Sequence, residues 1–372
     1  MTVPISPVLS RAVGKVGQAR AEYVPSQSPF PDRIKQPCLR PDPLSATGRE
    51  AGKIRPRTSP ERTQPGPPMP FPDDLDRFGP DAAYALSLDE SRAYCAQLTA
   101  SHYENFSVVT WLTPKDLRPA FASIYAFCRW SDDLGDEVGD RDRSTALLAW
   151  WRGELRAMFA GEVRHPVFQA LRPTVVEFGI PVEPFEALIS AFEQDQVVTN
   201  YDTYPQLLDY CTRSANPVGH LVLYLARFYN EENARLSDLT CTGLQLANFW
   251  QDVRRDLDIP RVYLPREDRD RFGYPDSDLN ARRFTPAFRD LLAFEVERAR
   301  ELLRGGRELV PRLPGKLAVD VDLFSRGGLA ILDRIEAKGF DVWTSRPEVG
   351  KLAKIGLLLR AMLAPRRKEA RR

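Results

Sequence analysis

Gln245-Leu246-Ala247-Asn248-Phe249-Trp250-Gln251-Asp252-Val253-Arg254-Arg255-Asp256 carries a polar stripe through an otherwise apolar segment. Gln245, Asn248, Asp252 and Asp256 fall at i, i+3, i+7 and i+11, the spacing of one face of an α-helix. Leu244, Leu246, Phe249, Trp250 and Val253 supply packing around it. A polar stripe on a large apolar helix points to a buried wet site, not to a solvated surface. Far upstream, Asp132-Asp133-Leu134-Gly135-Asp136 repeats the theme, with Asp132 and Asp136 sharing a helical face. Each helix then sets two like charges side by side, which costs free energy unless a cation lies between them. Hard oxygen ligands in open pairs suit Mg²⁺ shared with substrate phosphates. Two such pairs face to face make a cage for a diphosphate. One acidic run alone is usually a solvated helix end; the second run, with its amides in register, turns the pair into a site.

Outward from these stripes the chain reads as helix after helix. Apolar periodicity and capping residues predict Leu88 to Leu98, Leu117 to Asp133, Arg143 to Phe159, Pro166 to Phe178, Pro184 to Val198, Tyr204 to Arg213 and Pro217 to Tyr229. Leu236 to Leu257, Arg282 to Leu303, Leu317 to Lys338 and Val349 to Leu363 follow. Gly179 is a C′ residue for the fourth of them. Strand-like alternation is scarce. The expected fold is all-α: a single helical domain over residues 81–365, with a central active-site cavity between helices.

Residues 1–80 are rich in Pro, Ser and Arg and read as a disordered extension; residues 366–372 are a basic tail. The segment Lys351 to Leu363 is amphipathic and basic, so it is a candidate for peripheral contact with an anionic membrane surface; an ordinary core helix is the plainer reading. A net charge of +1 gives no global field for nucleic acid. Five scattered cysteines without a CxxC give neither a disulfide framework nor a zinc site and fit a reducing cytoplasm. No apolar run approaches the roughly 20 residues that span a bilayer.

Arg129 precedes Asp132 by three residues and shares its face, where a guanidinium can hold diphosphate oxygens. After the second cluster come Arg261, Tyr263, Leu264 and Pro265. On Arg129-Trp130-Ser131-Asp132-Asp133-Leu134-Gly135-Asp136 and on the Gln245 to Asp256 stretch, the chain resembles the squalene/phytoene synthase family of head-to-head prenyl transferases. The resemblance covers roughly His102 to Leu363. It implies a terpene-synthase-type helical fold, Mg²⁺ as cofactor and a prenyl diphosphate as substrate. It makes Asp132, Asp136, Asp252 and Asp256 the metal-binding carboxylates. Arg129, Gln245, Asn248, Arg261 and Arg346 then line the diphosphate site. Aromatic residues such as Phe106, Phe127, Phe249 and Trp250 are candidate walls for a carbocation, each with ordinary core packing as the plainer reading.

The chain departs from that family's usual pattern at Tyr210-Cys211-Thr212-Arg213-Ser214-Ala215-Asn216-Pro217-Val218-Gly219. Thr212 stands where an aromatic is usual, Phe340 stands where relatives often carry Tyr, and Ser214 and Asn216 bring polar groups. This block and His102-Tyr103-Glu104-Asn105-Phe106-Ser107 are similar to the bacterial hydroxysqualene synthases of hopanoid biosynthesis. The resemblance implies ionisation of presqualene diphosphate and quenching of the cation by water. Ser214, Asn216, His102 and Tyr263 are then catalytic candidates beside Arg129. For Asn216 the plainer role is helix capping before Pro217, and for His102 a structural histidine. Condensation of two farnesyl diphosphates is the alternative within the family. A catalytically inactive assembly factor is the alternative outside it, and the four aspartates argue against that. Pathway enzymes are candidate partners, and the cysteines and the basic C-terminal segment lead to the expectation of a cytoplasmic protein, peripheral on the inner face of the membrane.

Overall fold

A computed structural model of the chain describes residues 71–101 and 115–350. The described residues are helical, with one isolated parallel bridge between Asn200 and Val262. In chain order the helices are α1 (Phe71–Phe78), α2 (Leu88–Ser101), α3 (Arg118–Asp136), α4 (Arg141–Ala160), α5 (Pro166–Phe178), α6 (Glu183–Asp195) and α7 (Tyr204–Ser214). Then come α8 (Asn216–Leu225), α9 (Glu231–Asp258), α10 (Arg266–Arg271), α11 (Asp276–Asn280), α12 (Pro286–Gly306) and α13 (Gly315–Ala337), with a 3₁₀ turn at Arg307–Arg312. Among the described residues no helix is long and apolar enough to cross a membrane.

The expected all-α architecture holds, and the boundaries move for local reasons. The segment α3 continues through Asp136, so both carboxylates of the first cluster are helical. Asn230 starts α9 five residues ahead of the expected Leu236: its side chain accepts from Asn233 N at 2.9 Å, and Glu231 and Glu232 favour the positive end of the helix dipole. At the other end of α8, Arg227 takes a positive φ and stops the helix before Tyr229. Arg282 also has a positive φ, so α12 begins only at Pro286, with Thr285 as its cap.

One boundary needs correction. Residues 71–78, expected within the disordered extension, form α1, and Phe78 is 1% exposed. Phe71, Leu75 and Phe78 recur at i, i+4 and i+7, a helical face hidden beneath the proline-rich composition. Residues 1–70, the segment 351–363 and the basic tail 366–372 lie outside the described residues, as do His102 and Phe106.

Of the three apolar clusters among the described residues, the two larger ones back the acidic helices. One gathers Phe127, Trp130, Leu134, Trp151, Phe168 and Phe185 around α3. The other gathers Leu246, Trp250, Phe288, Leu291, Leu303 and Leu332 around α9 and α12. Helices α6 and α8 contribute to the first, and α6 reaches the second through Ala191. The crossing of α9 and α12 is backbone-close: a Cβ on Gly306 would sit 2.7 Å from Thr240 N, so only glycine allows the approach. Each acidic helix thus has a dry core behind it.

A buried charged group braces α12. Arg298 Nη1 donates to Asp268 Oδ2 at 2.5 Å and to Glu295 Oε1 at 3.2 Å, beneath the Tyr204 ring. Glu295 is fully buried, and that burial pushes its carboxyl from 4.5 up to about 8 against the pull of Arg298. The unfolded chain ionises this group from about pH 4.5 upward, whereas the fold does so only near 8. Stability is therefore full below pH 4.5 and is lost as pH rises through that window. In urea denaturation at fixed pH, Glu295→Gln should gain stability over the wild type between pH 4.5 and 8 and hold a constant advantage above 8. A difference independent of pH would contradict it.

Candidate active site

The face of α3 that matters is set by its roll. At roughly 100° per residue, Tyr125, Arg129, Asp132 and Asp136 fall together on one side. Arg129 Nε donates to Asp133 Oδ2 at 2.9 Å, and its Nη1 to Asp132 Oδ2 at 3.4 Å. Burial, then the neighbouring Asp136 charge, pushes Asp132 up to about 6. The turn at Gly135 is tied to the end of α6, where Gln196 Nε2 donates to the Gly135 carbonyl at 3.1 Å. Phe127 does not join the site. It points the opposite way, fully buried among Trp151, Phe168 and Phe185, so its expected role as a substrate wall is corrected to core packing.

On α9, Gln245 is half-buried and Asp252 buried, whereas Asn248, expected in a buried stripe, is exposed. Arg346 clamps Asp252 in bidentate fashion, Nε to Oδ1 at 2.6 Å and Nη2 to Oδ2 at 2.8 Å. The segment that carries it is stitched to α9: Arg254 Nη1 donates to Trp343 O at 3.0 Å, and Gln251 Nε2 donates to Pro347 O. Asp256 Oδ2 is buried with no hydrogen-bond partner. Burial, then Asp252, pushes that carboxyl up to about 7. Trp250 is core, its indole donating to Glu295 O at 3.1 Å.

Arg261 joins the two helices. As α9 ends, the chain turns back: Arg261 N donates to Asp256 O and Val262 N to Thr199 O, both at 2.8 Å. Arg261 Nη2 then donates to Asp136 Oδ1 at 2.7 Å. Its charge also lowers the pKa of Asp132, Asp195 and Asp256. One guanidinium thus lies among carboxylates from α3, α6 and α9, so the two acidic clusters face a common space.

Asp195, Tyr201 and Tyr210 belong to this region and were not anticipated. Tyr210 Oη donates to Asp195 Oδ2 at 2.8 Å, and burial pushes Asp195 up to about 6. Phe249 and Tyr263 stack with centroids 3.7 Å apart, and Tyr201 and Tyr210 extend this wall. The only sequence signal was Tyr210 one turn before Ser214, since i and i+4 share a face. Thr212 is exposed and donates to Asp209 O at 2.6 Å, so the residue substituted there faces away from the wall. Ser214 Oγ is buried without a partner. Asn216 does not cap α8. It occupies the first turn, and its Oδ1 accepts from Thr242 Oγ1 at 2.9 Å, leaving the amide donors.

Among the described residues no three His, Cys, Asp or Glu side chains converge on one point. The donors fit a divalent cation in another way. Each helix offers two carboxylates on one face, one of each pair is raised by burial and then by its like-charged neighbour, and Asp256 keeps a buried oxygen without a partner. In the metal-free protein the arginines carry the compensation. Arg261→Gln should therefore lower metal-free stability at neutral pH by about 1–2 kcal/mol, read from thermal melts. Mg²⁺ with inorganic diphosphate should restore part of that loss. An unchanged melt would contradict the role given to Arg261.

The squalene/phytoene synthase family model matches residues 99–353. A phytoene synthase of Arthrospira platensis is 30% identical over 295 residues, covering 74% of this chain and 94% of its own length. The crystal structure of squalene synthase HpnC from Alicyclobacillus acidocaldarius is 47% identical, with a TM-score of 0.66, and covers 69% of this chain and 97% of that one. A dehydrosqualene synthase solved with a ligand shares the fold at a TM-score of 0.67 and 23% identity, over 74% of this chain and 96% of its own. With its paired acidic helices joined through Arg261, the chain belongs to the squalene/phytoene synthase family of isoprenoid synthases.

Proposed function

We propose that the protein is a hydroxysqualene synthase: it ionises presqualene diphosphate and captures the rearranged cation with water, releasing hydroxysqualene and diphosphate. The observation that carries the reading is the buried, partnerless Ser214 hydroxyl, one helical turn beyond Tyr210. A buried hydroxyl without a protein partner is a place for an ordered water. Asn216, with its oxygen already engaged by Thr242, offers amide donors beside it.

Asp132, Asp136, Asp252 and Asp256 would hold Mg²⁺, which when bound stabilises negative charge on the departing diphosphate. Arg129, Arg261 and Arg346 can turn from their carboxylates to phosphate oxygens as that charge develops. Phe249, Tyr263 and Tyr210 present ring faces that tolerate a cation without reacting with it. In the capture step a water lone pair forms the new C–O bond and its proton leaves to a base. Asp195, raised by burial and joined to Tyr210, is a base of this chain at the wall. On this reading the protein works in the cytoplasm, with residues 351–363 as its contact with the membrane that takes up the apolar product.

The alternative within the family is condensation of farnesyl diphosphate, and it draws support from HpnC, which is named a squalene synthase. Incubation with presqualene diphosphate and Mg²⁺, with products read by mass spectrometry, separates the two. Hydroxysqualene is expected, and Ser214→Ala should lower its share of the products. Squalene, or no turnover by folded protein, would contradict the proposal. Presqualene diphosphate or squalene formed from farnesyl diphosphate alone would favour the alternative.

A further inference from the structure

Trp130 sits on the back of α3, between Arg129 and the first acidic pair, and is 1% exposed. Its indole Nε1 donates to Tyr94 Oη at 2.8 Å, and Tyr94 Oη donates to Asp74 Oδ2 at 3.0 Å. The chain of bonds runs in a single direction: an indole N–H only donates, and a carboxylate accepts, so the single phenol proton is committed to Asp74. It links three elements, α3, α2 and α1. Ring contacts reinforce it. Phe71 meets Trp130 edge to face at 5.2 Å, and Phe78 meets Tyr94 at 5.0 Å. Asp74 and Tyr94 both precede residue 99, where the family match begins.

The back of a helix controls its front. A carboxylate held about 6 Å from the helix axis moves by about 1 Å when the helix rolls by about 10°. Displacements of that size are enough to cost a site much of its function. Close packing behind α3 resists such a roll, and a directional hydrogen bond to Trp130 adds a restraint at a fixed angle.

We propose that Asp74, Tyr94 and Trp130 form a positioning relay that fixes the roll of α3, and with it the placement of Asp132 and Asp136 against the second acidic helix. The relay makes α1 and the part of α2 that precedes the family match a working part of the site. It rests on the reading of those aspartates as ligands of a metal-bound diphosphate.

The test is calorimetric binding of inorganic diphosphate, in the presence of Mg²⁺, to the full chain and its variants. Tyr94→Phe keeps the ring and removes both bonds, and should weaken binding about 10-fold. Asp74→Leu should do the same, and covers the case in which Tyr94→Phe does not fold. Asp74→Asn keeps an acceptor oxygen and should recover most of the affinity. Ser91→Ala removes another buried bond of α2, to Gln169 Oε1 at 2.6 Å, and should lower the melting temperature with affinity unchanged. If Tyr94→Phe or Asp74→Leu changes affinity no more than Ser91→Ala at equal loss of stability, the relay is wrong. If the wild-type chain itself takes up no diphosphate with Mg²⁺, the reading of the aspartates fails first and the relay falls with it.

Discussion

Like charges turned toward one cavity are the constraint around which this molecule is arranged. Two carboxylates about 6 Å apart repel by about 3 kcal/mol at an effective dielectric of about 20, and the cavity gathers several. Three guanidiniums hold the arrangement: Arg129 beside Asp132 and Asp133, Arg261 on Asp136 and Arg346 on Asp252. Burial first, and then the like charge beside each, pushes Asp132 and Asp256 up, and Asp256 keeps an oxygen without a partner. The site is short of positive charge by construction. Divalent cations bound at the carboxylates relieve that shortage, and the arginines are then free to turn to the phosphate oxygens of a diphosphate.

The scaffold serves this purpose by keeping each acidic helix stiff and dry on its other side. Behind α3 lie the stacked indoles of Trp130 and Trp151, and Trp151 Nε1 donates to Ser131 Oγ at 3.0 Å. Behind α9 lies α12, brought to backbone distance by Gly306 and by Gly243, whose Cβ would meet Leu303 at 2.8 Å. Rigid supports of this kind let a few ångströms of geometry be specified in a cavity whose own groups repel.

The helical fold and the four aspartates were legible in the sequence because both follow from spacing along one helix. What spacing does not carry is which face looks where. Phe127 and Asp132 lie in the same helix, and only the observed roll shows that one is core and the other site. Thr212 looked significant by position and proved to face solvent, whereas Tyr210, two residues earlier, carries the contact with Asp195. Asp195 itself was invisible: it comes from a third helix and belongs to no paired motif. The apolar face of α1 was masked by the prolines around it. Arg261 was anticipated as a lining residue, but its part in joining α3 to α9 depends on the turn after Asp256.

The central claim is that the two acidic helices bind metal together with diphosphate, and bind it poorly without. Titration with Mn²⁺, a paramagnetic stand-in for Mg²⁺, followed by electron paramagnetic resonance, measures this directly. The account predicts weak uptake by the protein alone and strong uptake once inorganic diphosphate is added, lost in Asp132→Asn combined with Asp252→Asn. Equal uptake with and without diphosphate, or strong uptake that survives both substitutions, would contradict it.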